Sequence, residues 1–243
     1  MYDEPQILLA GDKSLVIELG NEITPELNRL VHGIASAIEN ADIEGLIDLI
    51  PTYRSVLINY EPSRIPLSEL QSRILDIYTN LDEIDTDKTT LVHLPVLYGG
   101  DYGPDLEFVS RHTGLSRSEV IDLHSCSVYL IYMMGFSPGF AYLGGLNELL
   151  KTPRLENPRL KIPVGSVGIA DMQTGVYPME SPGGWQLIGR TPVKLFDPMR
   201  NTPILLNSGN YIKFEPIGSE SEYKTIASSV AKSQYEPKSE LVK

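Results

Sequence analysis

Two arginines five residues apart each follow a proline, in the runs Pro153-Arg154-Leu155 and Pro158-Arg159-Leu160-Lys161-Ile162-Pro163. A guanidinium grips a carboxylate or phosphoryl group through two parallel N–H bonds, so Arg154 and Arg159 on proline-restricted backbone suit an anionic ligand. The segment that follows, Val164-Gly165-Ser166-Val167-Gly168, offers the Ser166 hydroxyl and backbone amides around Gly165 to hold a substrate carbonyl oxygen. Upstream, Gly135-Phe136-Ser137-Pro138-Gly139-Phe140-Ala141-Tyr142 sets three aromatics around a Pro-Gly turn, which makes a wall for a pocket or for a partner. Downstream, Ser181-Pro182-Gly183-Gly184-Trp185 carries the only tryptophan and leads on to Arg190. His124 is the candidate for proton transfer. Each has a plainer role beside the chemical one: surface ion pairs for the arginines, core for Trp185, and a satisfied structural histidine at position 124.

Other chemistries lack their signatures. No G-x-x-x-x-G-K-[ST] stretch cradles a nucleotide, and no G-x-G-x-x-G follows a strand. His32, His93, His112 and His124 show no metal-ligand spacing, so no metal is expected. The single cysteine, Cys126, rules out a disulfide framework and is expected to be a buried structural thiol. A formal charge of −12 with pI near 4.8 argues against nucleic acid or an anionic membrane as partner. That acidity belongs to residues 1–90, with 17 acids and 6 bases, against 15 acids and 14 bases in the rest. It reads as a solvated surface or as a docking face for a basic partner. The N-terminus carries acids where a signal peptide is basic, and no apolar run approaches the roughly 20 residues of a spanning helix, so a cytoplasmic location is expected.

With 243 residues, 42% of them hydrophobic, the chain has material for one large domain or two modest ones. Residues 1–88 predict a small α+β domain. Leu15-Val16-Ile17-Glu18-Leu19 reads as a strand, and an apolar spacing of three and four from Leu27 to Ile38 predicts a helix with Thr24 as N-cap and Pro25 at its first position. Strands over 43–50 and 55–60 and a helix over 67–78 complete it, with a polar linker at 86–90. Residues 89–218 predict a mainly-β barrel. A strand over 91–98 is followed by helices over 104–112 and 116–124, the second opened by the capping box Ser116-Arg117-Ser118-Glu119. Residues 135–200 then hold 10 of the 20 glycines and 8 of the 18 prolines, the grammar of short strands and tight turns. Residues 219–243 predict a polar C-terminal tail with one short helix, frayed beyond it.

Several runs together identify a family. Tyr98-Gly99-Gly100-Asp101-Tyr102-Gly103-Pro104-Asp105-Leu106, His124-Ser125, the Gly135–Leu143 run, PRLENPRLKIPVGSVGIA and YPMESPGGWQLIGRTPVKLFDP resemble the KipI-like family, also called allophanate hydrolase subunit 1-like. The resemblance covers nearly the whole chain. It implies a cyclophilin-like β-barrel for the second domain. It also implies a non-autonomous subunit of ATP-dependent 5-oxoprolinase, which opens the lactam of 5-oxoproline to L-glutamate. The partners implied are a KipA-like subunit and a LamB/YcsF-like subunit, with ATP and Mg used by the assembled complex. A second family role, inhibition of a sporulation-type histidine kinase through its dimerisation helices, stands as the alternative, with Phe136, Pro138 and Phe140 as its apolar patch. A free-standing prolyl isomerase rests on barrel analogy alone. One position departs from the family pattern: Asn210 follows Gly209 where an aspartate is usual.

Overall fold

The computed structural model describes residues 1–81, 89–135 and 137–242. The chain divides into two compact units, Met1–Asp87 and Lys88–Lys243. The linker expected at 86–90 falls largely outside the described residues; Thr90 already opens a strand.

The first unit runs β1 (Gln6–Leu9), β2 (Ser14–Glu18), α1 (Pro25–Asn40), β3 (Leu46–Pro51), β4 (Ser55–Tyr60) and α2 (Leu67–Thr79). Its sheet has the order β1-β2-β4-β3, antiparallel throughout. Thr24 caps α1 as its side chain predicts, its Oγ1 accepting from the Leu27 N–H at 3.2 Å, with Pro25 where no N–H is needed. The helix turns Leu27, Val31, Ile34 and Ile38 onto Leu15, Ile17, Val56 and Ile58 of the sheet, and all eight are essentially fully buried. At roughly 1.5–3 kcal/mol per buried aliphatic side chain, this face is a large part of what holds the unit together, beside Leu70 and Ile74 of α2. The expected strand over 43–50 begins only at Leu46, because Asp42 takes φ 45° and the Leu46 N–H closes a turn onto the Ile43 carbonyl.

The second unit runs β5 (Thr90–Tyr98), α3 (Leu106–Thr113), α4 (Arg117–Cys126), β6 (Val128–Met134), β7 (Ala141–Gly144), β8 (Arg159–Ile162), β9 (Ser166–Ala170), β10 (Gln173–Val176), β11 (Ser181–Gly183), β12 (Gln186–Arg190), β13 (Tyr211–Pro216), α5 (Glu220–Ala231) and β14 (Ser239–Leu241). Seven strands follow the order β10-β9-β12-β5-β13-β6-β7, and the two end strands β7 and β10 lie against each other, so the sheet nearly closes. The fold is therefore an α+β unit followed by a mainly-β barrel. Leu94, Val96, Tyr129, Ile131, Val167, Ile169, Ile188, Ile212 and Phe214 fill the core. β8 and β11 form a separate two-stranded ribbon. The capping box forms, the Ser116 and Glu119 side chains each accepting the other's backbone N–H.

Two expectations change, and a third holds. Cys126 is exposed, not buried, because it closes α4 on the solvent side. The short helix expected around 223–232 runs from Glu220 to Ala231, but the chain beyond does not fray: β14 returns to β5, pairing Ser239 with Val92 and Leu241 with Thr90. It fills the part of that β5 edge which β12, reaching only Leu97 and Tyr98, leaves open. Asn210 keeps its turn with Gly209 at φ 80°, and its Oδ1 accepts the Thr90 N–H at 3.0 Å. That contact needs a carbonyl or carboxylate oxygen and no charge.

Candidate functional site

The Pro-Gly turn forms as its residues dictate. The Phe140 N–H donates to the Ser137 carbonyl at 2.9 Å with Gly139 at φ 82°, a type II turn, and the Gly135 N–H donates to the Phe140 carbonyl at 2.8 Å to close the β6–β7 hairpin. Pro138 is exposed at its tip, and Phe136 lies outside the described residues. The half-buried Phe140 ring stands edge-on to Tyr142, Trp185 and Tyr177, with centroids 5.3, 6.0 and 6.1 Å away, and Tyr177 meets Trp185 at 6.2 Å in the same manner. Edge-to-face pairs of this kind contribute about 0.5–1.5 kcal/mol each beyond their burial. Trp185 is 8% exposed and packs with Ile162, Ala170 and Leu187. Gly183 suits this packing: a Cβ there would sit 2.5 Å from Tyr177 Oη and 2.7 Å from Ile162 Cδ1, so one of them would have to shift. The kinase-binding alternative needs these aromatics to form a free apolar patch. Phe140 is instead turned into the cluster.

The two arginines differ in freedom. Arg159 Nη2 donates to Asp105 Oδ1 at 2.7 Å and its Nη1 to the Trp185 carbonyl at 3.4 Å. Asp105 in turn accepts the Leu187 N–H on Oδ2 at 2.6 Å. Arg159 is thus held by the chain's own carboxylate. Arg154 Nε is 3.6 Å from Asp171 Oδ2, with both side chains more than half exposed, so its guanidinium is open to a competing anion. Both arginines lie near the Tyr177 phenol. Burial pushes that phenol up, and the two positive charges pull it back. The structure therefore gathers Arg154, Arg159, Phe140, Gly183 and Trp185 about Tyr177, with Tyr142 joined through Phe140.

Other expected site residues stand apart from this locus. His124 is fully buried, with Nδ1 2.8 Å from Tyr98 Oη and Nε2 2.8 Å from Thr174 Oγ1. Thr174 donates to the Gly168 carbonyl at 3.0 Å, so it accepts from Nε2–H, and Nδ1 accepts from Tyr98. Burial pushes the ring down to about 3, and it stacks on Phe214 at 4.6 Å. This is the geometry of a neutral structural histidine with no surface to offer a substrate. The amides expected to face a carbonyl oxygen are committed elsewhere: the Gly165 N–H donates to the Tyr177 carbonyl at 2.8 Å and the Ser166 N–H to the Pro163 carbonyl at 3.2 Å. Gly165, at φ 79°, presses against the Thr191 carbonyl, leaving no cradle there. Ser166 Oγ is buried without a hydrogen-bond partner among the described residues. Arg190 lies over the Tyr102 ring, its Cζ 5.4 Å from the centroid. Pro182 is exposed on β11, and the Gly184 carbonyl accepts the Leu155 N–H at 2.7 Å.

Tyr177 and Asp105 carry the site's geometry without having been singled out from the sequence. Asp105 had a local signal, an acid between Pro104 and a helix, but its partners Arg159 and Leu187 are 54 and 82 residues away. Among the described residues, no group of three or more His, Cys, Asp or Glu side chains is placed to hold a metal ion. No helix among them is long and apolar enough to cross a membrane.

An α+β unit joined to a mainly-β barrel is the architecture of a carboxyltransferase-type domain. The urea amidolyase of K. lactis superposes with a TM-score of 0.79 over 98% of this chain and 16% of that one, at 20% identity, a likeness of fold. The solved structure of TTHA0988 matches with a TM-score of 0.76 and 33% identity, and the chain spans 40% of its length. The profile of the family described as carboxyltransferase domain, subdomain C and D, matches residues 5–206. The chain belongs to this family, the KipI-like one that its motifs resemble. It is 44% identical to the B component of the 5-oxoprolinase of Bacillus subtilis, over 90% of this chain and 95% of that protein. It is 40% identical to the component of the same name in Escherichia coli O157:H7, over 86% and 94%.

Proposed function

We propose that the chain is a non-autonomous, cytoplasmic subunit of a 5-oxoprolinase, working with a KipA-like and a LamB/YcsF-like subunit to open 5-oxo-L-proline to L-glutamate at the expense of ATP. The observation that supports this best is near full-length identity of 44% to a relative named as a 5-oxoprolinase subunit. Within that reading, Arg154 takes the carboxylate of 5-oxoproline, since its guanidinium is exposed and only loosely opposed by Asp171. Arg159, fixed by Asp105, sets the positive field beside it, and Trp185, Phe140 and Tyr177 supply a rigid apolar wall. ATP and its Mg ion belong to the assembled complex. Gly165 presses on the Thr191 carbonyl and Gly183 on the Tyr177 ring, so neither leaves room for a phosphate beside this locus.

The test is ATP-dependent glutamate release from 5-oxoproline by the chain alone and by the chain mixed with the other two subunits. Turnover only in the mixture supports the reading, and a stable complex without glutamate release overturns the substrate. Arg154→Ala is expected to cut turnover of the mixture at least tenfold while moving stability by no more than about 0.5 kcal/mol, as for an exposed side chain. Unchanged turnover removes Arg154 from the site.

A further inference from the structure

The three residues of β14 are all exposed, so no side chain of this strand is anchored in the core. Beyond its pairing with β5, the flanking backbone bonds run from the His93 N–H to the Lys238 carbonyl and from the Val242 N–H to the Thr89 carbonyl, each at 2.9 Å. Segments with few buried apolar contacts are the first to open. One side chain adds to this thin attachment. The His93 ring, on β5, is 7% exposed and lies between two carboxylates. Its Nδ1 is 2.7 Å from Glu215 Oε1 on β13, and its Nε2 is 3.0 Å from Glu240 Oε1 on β14.

An ionised carboxylate can only accept, so both contacts are hydrogen bonds only when both ring nitrogens carry a proton. The His93 hydrogen bond, with Lys238 behind it, holds the Glu240 carboxyl below the usual carboxylate range, so this partner stays ionised wherever a histidine titrates. A neutral ring has one proton to give. The shorter contact, to Glu215, retains it, and Nε2 then turns a lone pair on Glu240 Oε1. Both glutamates are about half exposed, so the rejected carboxylate finds water. The other charges nearby do not replace the lost bond. Lys238 Nζ is exposed and 3.8 Å from Glu240 Oε2. Lys213 of β13 stands in register with His93. Burial and the Glu215 charge push the Tyr235 phenol up, so it stays neutral. On α5, which packs on β5, Glu220 is tied to Lys224 at 2.7 Å, Glu222 to the Gly218 N–H at 3.0 Å and Tyr223 to the Thr191 carbonyl at 3.5 Å. Arg190 of β12 pairs with the far end of β5 at Leu97 and lies over Tyr102.

We propose that His93 is a proton-operated clasp for β14: the protonated ring ties β14 to β13 across β5, and the neutral ring lets β14 come away. Ser233, Tyr235, Pro237 and Ser239, on the segment it tethers, form one wall of a cleft of about 530 Å³ floored by Val92 and Ile131, so release opens that cleft. The test is hydrogen exchange of the full chain, read as protection factors, which remove the intrinsic dependence of exchange on pH. The His93 and Val242 amides report on β14, and the Ile131 amide, which donates to the Asn210 carbonyl, is the control. From about pH 5 to about pH 8, the range over which histidine changes charge, the two reporters are expected to lose protection about tenfold, as for one charge-assisted hydrogen bond. Ile131 is expected to lose none. Nitrogen-15 resonances of the His93 ring are expected to show both nitrogens protonated at the lower pH and Nδ1 alone at the higher. Glu240→Gln, an exposed change, supplies an amide that can accept from Nε2–H or donate to its lone pair. Its reporters are therefore expected to show equal protection at both pH values. Reporters that keep their protection in the wild-type chain, a ring with one proton at both pH values, or an undiminished loss in Glu240→Gln overturns the proposal.

Discussion

Asp105→Ala tests whether the carboxylate beneath the arginine pair organises the site. Its side chain is 12% exposed and accepts two hydrogen bonds, from Arg159 Nη2 at 2.7 Å and from the Leu187 N–H at 2.6 Å. Leu187 is 2% exposed, so removing the acceptor strands a buried N–H, which costs about 1–3 kcal/mol. The Arg159 side chain is 30% exposed, so water screens the lost ion pair and its share is about 1 kcal/mol, well short of a fully buried pair. The sum is about 2–4 kcal/mol, a fall of roughly 4–16 °C in the midpoint of the second unit. Arg159→Ala keeps the Leu187 bond to Asp105 but leaves that largely buried carboxylate without its cation, so it is expected to cost about 1–2 kcal/mol, less than Asp105→Ala. Asp105→Asn, which keeps an oxygen acceptor, falls between the two. Thermal melts followed by Trp185 fluorescence read this directly, because the only tryptophan sits in the same locus and its carbonyl takes Arg159 Nη1. Equal losses for Asp105→Ala and Arg159→Ala, or a midpoint within a degree of wild type, would mean that Asp105 does not organise the locus.

His124 makes stability depend on pH with a definite sign. The unfolded ring takes up a proton below its ordinary 6.5, whereas burial holds off protonation in the fold until about 3. Stability is therefore expected to fall as pH drops through that window, by about 1.4 kcal/mol per pH unit from this group. Denaturant titrations between pH 6 and 4 should show His124→Gln with a slope shallower by one proton, and parallel slopes would exclude the assignment. Gly183→Ala brings a methyl group against Tyr177 Oη and Ile162 Cδ1 and is expected to cost about 1–3 kcal/mol, measured by chemical denaturation; a neutral effect would show that the aromatic cluster gives way easily.

What the sequence disclosed was what local chemistry settles. Thr24 with Pro25, and Ser116 with Glu119, satisfy the first N–H groups of their helices from within three residues, so those helix starts were legible. The Pro138-Gly139 turn is likewise self-contained. The site's ties are not. Arg159 meets Asp105 across 54 residues and Asp105 meets Leu187 across 82, and no local pattern announces a pair at that separation. The arginines looked like free anion grips because the partner that holds one of them lies in a different motif. The Gly165 amide looked available for the same reason, since its acceptor Tyr177 lies 12 residues on, whereas the Ser166 amide closes a local turn onto Pro163. Cys126 was expected buried from its residue type, but α4 runs two residues past His124 and leaves it on the solvent side. β14 escaped notice because a three-residue polar strand has no periodicity to show.

The pairing of β14 with β5 bears on biosynthesis. β5 is the first strand of its unit to leave the ribosome and β14 the last. Until residues 239–241 emerge, Thr90 to Val92 present an unpaired backbone edge in a half-made barrel, open to strands of neighbouring nascent chains. A translation pause placed late in this message would prolong that exposure, whereas a pause within the first unit would leave it unchanged.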